Sequence, residues 1–230
     1  MSVYPPIVTV DGPSGAGKGT VSHRLAAYLG WHLLDSGALY RVTAYAAAEA
    51  AVDLLDEPAV AEVARHLQLE FVGRETAEVD VLYKGRNISL DIRTEEGGRG
   101  ASTVAALPAV RAALLERQRE FAQAPGLVAD GRDMGTVVFP GADLKFFLTA
   151  SADERAERRY KQLIQKGQSV NLAALLWDIE SRDKRDSERA VSPLIPATDA
   201  IVIDSTGIPV ETVIQRVVAE LEKKGLANRI

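Results

Sequence analysis

Residues 12–20, G-P-S-G-A-G-K-G-T, bring together the residue types that hold phosphate. Gly12, four further residues, Gly17 and Lys18 have the spacing of a P-loop, a glycine-rich turn between a strand and a helix. The glycines admit backbone angles that other residues resist and let N–H groups approach an anion. Those N–H groups and the positive end of the following helix attract phosphate. Lys18 adds a charge that can follow a transferred phosphoryl group. Gly12, Pro13, Ser14, Gly15, Ala16, Gly17, Lys18, Gly19 and Thr20 are therefore the expected triphosphate cradle. The hydroxyl residue usual after the lysine is replaced by Gly19, which leaves the Mg²⁺-facing hydroxyl open between Thr20 and Ser14. An ordinary glycine-rich turn is the competing reading. The order strand, loop, lysine, helix argues against it.

A P-loop does not say where the phosphate goes; the arginines bear on that. Arg41 follows a strand-end turn, and Arg132 lies in a loop directly after an apolar run. Arg155, Arg158 and Arg159 fall near one face of a helix, and Arg182, Arg185, Asp186 and Arg189 form a single helical stripe. Solvated faces with Arg/Asp pairs would explain such stripes by themselves. Yet nothing competes for the chemistry: there is no cysteine, no Ser-His-Asp pattern, and His23, His32 and His66 stand singly as structural residues. Phosphoryl transfer needs positioning and charge neutralisation more than a protein nucleophile. Arginine supplies two-pronged phosphate contacts and keeps its charge.

The elements that must position these residues follow a βα rhythm. Short apolar runs at 7–10, 31–34, 126–130, 144–148 and 200–203 alternate with helical patterns, which predicts a doubly wound parallel sheet. Ligands bind beyond the C-terminal ends of such strands, where Asp11, Asp35, Ser36 and residues 130–133 fall. Ser36 is expected to cap the helix over 37–52, Gly30 to stop the helix before it, Ser151 to cap a long arginine-bearing helix, and Gly167 to break it. Residues 68–92 alternate in hydropathy around a turn at 84–87 and read as a small antiparallel insert. The pattern over 95–124 is helical, broken by Pro108, though the glycines at 97, 98 and 100 weaken the expected helix start before Ser102.

Four strings together resemble the bacterial cytidylate kinase family: V-D-G-P-S-G-A-G-K-G-T at 10–20, H-L-L-D-S-G-A-L-Y-R at 32–41, A-D-G-R-D-M-G-T-V-V-F-P at 129–140, and R-D-x-R-D-x-x-R at 182–189. The resemblance implies an α/β P-loop nucleoside monophosphate kinase fold, a five-stranded parallel sheet flanked by helices, with the antiparallel insert and a short lid. One domain is expected over 1–230: a core of about 1–35, 103–154 and 190–230, an acceptor region of about 36–102, and a lid of about 155–170. The implied reaction is transfer from ATP, with Mg²⁺, to CMP or dCMP. Residue by residue, the resemblance puts Ser36, Arg41 and Arg132 at the CMP phosphate with Tyr40 nearby. It puts Ser102, Arg111 and Asp133 at cytosine, and Arg182, Asp186 and Arg189 around sugar and phosphate. Lys18, Arg132 and the lid arginines Arg158 and Arg159 are the expected catalytic group.

The bulk numbers set the alternatives. A net charge of −5 and few aromatics near the arginine helices disfavour a nucleic-acid binder. Absence of cysteine and of any membrane-length apolar run fits a cytoplasmic protein with no membrane partner, expected as a monomer. Another small-molecule kinase of this fold, such as a UMP/CMP or shikimate type, and a nucleotide switch remain the rival readings.

Overall fold

The computed structural model describes residues 5–73, 79–165 and 167–227. The part of the insert at 74–78 and Lys166 of the expected lid lie outside the described residues. Contacts divide the chain into two units, residues up to Leu33 with those from Gln123 onward, and Leu34–Ala122.

In the first unit, β1 (Ile7–Asp11) is followed by α1 (Lys18–Leu29) and β2 (His32–Asp35), whose last residues enter the second unit. The chain resumes with β6 (Leu127–Gly131), a five-residue π turn (Met134–Val138), β7 (Leu144–Thr149), α6 (Ala152–Gln165), α7 (Leu172–Ser187), β8 (Ile201–Asp204) and α8 (Val210–Lys223). The sheet runs β2-β6-β1-β7-β8. β1 is central and parallel to both neighbours, with Ile7 opposite Leu127 and Val8 opposite Leu144. A strand buried on both faces needs a continuous apolar run, which is how Val8 and Val10 come to be fully buried. Val21, Leu25 and Leu29 of α1 and Val213, Val217 and Leu221 of α8 complete this core. Gly30 ends α1 in the left-handed conformation, and the Ser151 hydroxyl accepts the Glu154 N–H at the start of α6, both as expected.

Packing is tight where β6 begins. A Cβ on Gly126 would lie 2.4 Å from the ring of the buried Trp31. Gly126→Ala is expected to cost about 1–3 kcal/mol through overpacking, seen as a lower urea midpoint at unchanged slope. An unchanged midpoint would mean that the Trp31 ring can give way.

The second unit contains α2 (Ser36–Glu49), α3 (Glu57–Arg65), the antiparallel strands β3 (Leu69–Gly73), β4 (Val79–Tyr83) and β5 (Arg86–Asn87), a 3-10 turn at Asp91–Arg93, α4 (Glu95–Val104) and α5 (Pro108–Arg119). The antiparallel insert is thus present. One expectation changes here. The cap of α2 is Asp35, whose carboxylate accepts the Ala38 N–H at 2.9 Å; Ser36 is already helical and its hydroxyl goes elsewhere. The glycine-rich stretch before Ser102 is helical from Glu95, as the pattern over 95–124 predicts, and its glycines serve as close-approach positions. A Cβ on Gly97 would meet the Ile92 carbonyl oxygen at 2.5 Å, and one on Gly100 would meet the Ala44 methyl at 3.0 Å. Thr94 caps this helix by accepting the Gly97 N–H.

Candidate active site

The P-loop leaves the C-terminal end of the central strand. Gly12 has φ 144°, and a Cβ there would fall 1.9 Å from the Leu148 carbonyl oxygen, so no side chain fits against β7. Gly17, at φ 93°, turns the chain into α1. Lys18, the first residue of that helix, is buried, and its Nζ donates back to the Pro13 carbonyl at 2.9 Å. Burial pulls the Lys18 ammonium well below the ordinary lysine pKa; Arg132 and Arg182 push the same way, and Asp130 and Asp11 oppose them. Two side chains brace the loop through its carbonyls. Arg155 donates to Ser14 O at 3.1 Å, and the buried Ser205 hydroxyl lies 3.2 Å from Ala16 O. Arg155 is itself held by both oxygens of Asp183, at 3.1 and 2.5 Å. Ala16 is buried, while Gly15, Gly19 and Thr20 are exposed at the rim.

Beside this loop one carboxylate faces three guanidinium groups. The buried Asp186 accepts from Arg132 Nε at 3.0 Å, with Arg182 Nε at 4.0 Å, and its backbone carbonyl accepts from Arg189 Nε at 3.2 Å. Burial by itself would raise the Asp186 carboxyl, but Arg132, Arg182 and Arg189 outweigh it and hold the group below its usual range. Arg182 also reaches within 3.5 Å of Ser14 Oγ, which ties the stripe on α7 to the P-loop. Asp133 is buried, one residue beyond Arg132. Arg158 is engaged away from this cluster, by Glu154 at 2.9 Å and the Ser205 carbonyl at 2.6 Å, and Arg159 is half-buried on the same helix.

The remaining expected acceptor residues lie in the second unit. Ser36 is buried and donates to Gln118 Oε1 at 2.7 Å. The Arg111 guanidinium stacks 5.6 Å from the Tyr40 ring centroid and donates to the Ala105 carbonyl. Arg41 pairs loosely with Asp35 at 3.8 Å. The Ser102 hydroxyl is buried with no hydrogen-bond partner among the described residues. A buried hydroxyl left unpaired costs free energy, and a polar ligand would repay it.

A comparison with known families decides the assignment: the cytidylate kinase profile matches residues 8–223. The chain belongs to the cytidylate kinase family. Cytidylate kinase of Pseudomonas entomophila is 56% identical over 227 residues, covering 98% of this chain and all of the relative. That of Pseudomonas aeruginosa strain PAO1 is 57% identical over 221 residues, covering 96% of each. Among solved structures, a thymidylate kinase from Candida albicans covers 99% of this chain and 95% of its own at 10% identity, with a TM-score of 0.45.

Several bracing contacts escape a reading of the chain alone. Gln118 holds Ser36, Asp183 holds Arg155, Ser205 supports the P-loop, and Asp11 accepts two backbone N–H groups of the π turn. One signal was available. Arg111, Leu114 and Gln118 share a helical face that is otherwise apolar, and a polar residue on such a face must have a partner.

Proposed function

We propose that this chain transfers the γ-phosphoryl group of ATP to CMP and dCMP, giving ADP with CDP or dCDP, in pyrimidine nucleotide metabolism. The observation that carries the reading is the charge imbalance beside the P-loop. Arg132, Arg182 and Arg189 share the one buried carboxylate of Asp186, and Arg132 and Arg182 also act on the buried Lys18, an arrangement suited to two phosphate-bearing substrates. Residues 12–20 hold the ATP phosphates through backbone N–H groups, and Lys18 follows the moving phosphoryl group. Arg132, Arg182 and Arg189 neutralise the acceptor phosphate, with Asp186 setting their directions. Arg41 and Ser36 serve the same substrate, with Tyr40 packing beneath Arg111. Ser102, Arg111 and Asp133 read the base. Cytosine presents an amine donor where uracil presents a carbonyl acceptor, so an ionised Asp133 accepts from one and opposes the other.

The oxygen donors near the P-loop fit Mg²⁺, which takes few protein ligands besides nucleotide phosphates. The Asp130 carboxylate faces Gly19, where a Cβ would lie 3.7 Å from Oδ2, and Thr20 follows; Ser14 is the other hydroxyl. When bound, the ion would neutralise charge on the donor phosphates. The proposed lid is the segment of about 155–170, which carries Arg158 and Arg159 on α6 and has Gly167 at φ 75° beyond that helix, and it excludes water on closing. Among the described residues no helix is long and apolar enough to cross a membrane, and we take the enzyme to act in the cytoplasm as a monomer.

A coupled assay of ADP release tests the reading, with Mg²⁺·ATP and CMP, dCMP, UMP, AMP, GMP or shikimate in turn. Turnover with CMP and dCMP and little with UMP is expected. Equal turnover with UMP would discard the base-reading role of Asp133. No acceptor-dependent turnover would discard the kinase reading.

A further inference from the structure

The buried carboxylate at the tip of the central strand has no part in the reaction as set out above. Asp11 closes β1 opposite Gly131 of β6 and Phe147 of β7. Its Oδ1 accepts the Met134 N–H and its Oδ2 the Gly135 N–H, both at 2.8 Å. These two N–H groups open the π turn, where a helical segment leaves its first donors without partners. Gly135 makes the approach possible: a Cβ there would lie 3.3 Å from Asp11 Oδ2 and 2.9 Å from Thr9 Oγ1. Asp133 immediately precedes the clamped amides. Its own carbonyl accepts the Val137 and Val138 N–H groups, at 2.9 and 3.2 Å.

We propose that Asp11 is a positioning residue for base selection: by holding the Met134 and Gly135 amides, it fixes the direction in which Asp133 presents its carboxylate to the cytosine amine. The proposal rests on the reading of Asp133 given above. Asp133 is then held through its own carbonyl on one side and through the next two amides on the other. Asp11 also adjoins Gly12, so one side chain keeps the start of the donor loop and the base-reading turn in the same register. Two convergent N–H donors require two acceptors. Asparagine has the same shape but offers one oxygen and one NH₂ group, and the NH₂ would oppose the second amide.

The test is kcat/KM for CMP and for UMP at saturating ATP, in Asp11→Asn, Asp133→Ala and the double variant. The ratio of the two acceptors cancels the folded fraction and any donor-side effect through Lys18, so a merely structural role would not move it. Asp11→Asn is expected to lower the CMP:UMP ratio by about tenfold, the scale of one misdirected hydrogen bond, and to lower it no further when Asp133 is alanine. Gly135→Ala, which crowds the same contact from the other side, should act in the same direction if Asp11→Asn folds poorly. If Asp133→Ala leaves the ratio unchanged, the base-reading role itself is lost. If Asp133→Ala lowers the ratio while Asp11→Asn and Gly135→Ala do not, the positioning role is overturned. It is equally overturned if Asp11→Asn lowers the ratio as much without Asp133 as with it.

Discussion

Lys18→Met is expected to lower kcat at saturating CMP by about 10²–10³-fold, the range for removing one preorganised group that stabilises developing charge. The variant should still fold. Its methionine fills a buried site where the ammonium is unwelcome, since the folded state lowers the Lys18 pKa. For a group depressed in the folded state, the penalty begins as the pH falls below the ordinary lysine value. It grows through the depressed value and is complete below it. Bound phosphate acts in the opposite sense and restores the charge. ATP binding by the native chain should therefore take up a proton in that window, measured as a calorimetric heat that varies with the ionisation enthalpy of the buffer. Lys18→Met should lose that variation. Heats independent of buffer in the native chain would show that Lys18 is already charged before phosphate arrives.

Asp186→Ala should produce the second large effect, on stability. It removes the buried counter-charge of Arg132, Arg182 and Arg189. Breaking a buried pair costs about 3–5 kcal/mol. The lower figure is expected here, because the Arg132 and Arg182 side chains keep 19% and 21% of their exposure. Inorganic phosphate should recover part of the loss by mass action on the folded state, and recover less in the native chain, where Asp186 already satisfies the arginines. Equal rescue of both would count against a shared anion site. The acid side carries a matching signature. The Asp186 pKa is lowered by folding, so its contribution is present above the ordinary Asp value and fades as the pH falls through the depressed one. Asp186→Asn should show a shallower loss of stability over that interval in acid unfolding.

What could be read in the chain was local. The P-loop, the runs that became the five strands, Gly30 as a stop and Ser151 as a cap depend on neighbours within one or two turns. Bracing contacts were hidden because their partners are remote: Asp11 to Met134 spans 123 residues, Ser36 to Gln118 spans 82, and Ser205 to Ala16 spans 189. Ser36 was misread as a cap because Asp35, beside it, is an equally good one and stands one residue earlier. Gly97 and Gly100 weaken the reading of that helix's start because propensity counts their entropy and not the Ile92 and Ala44 atoms they allow to approach. The functional strings carried the arginines, Asp133 and Asp186, and Asp11 and Asp183 stand in them too, but a string does not say which remote group each side chain holds.

The strand order has a consequence for how the chain is made. β1 can pair only with β6 and β7, so its partners are synthesised long after it. The unit from Leu34 to Ala122 is contiguous and is complete before Leu127 exists. At 5–20 residues per second the first strand waits on the order of ten seconds for its neighbours, with Val8 and Val10 unpaired. The phosphate loop, written near the beginning of the chain, becomes a working site only once the strands from its second half have been delivered.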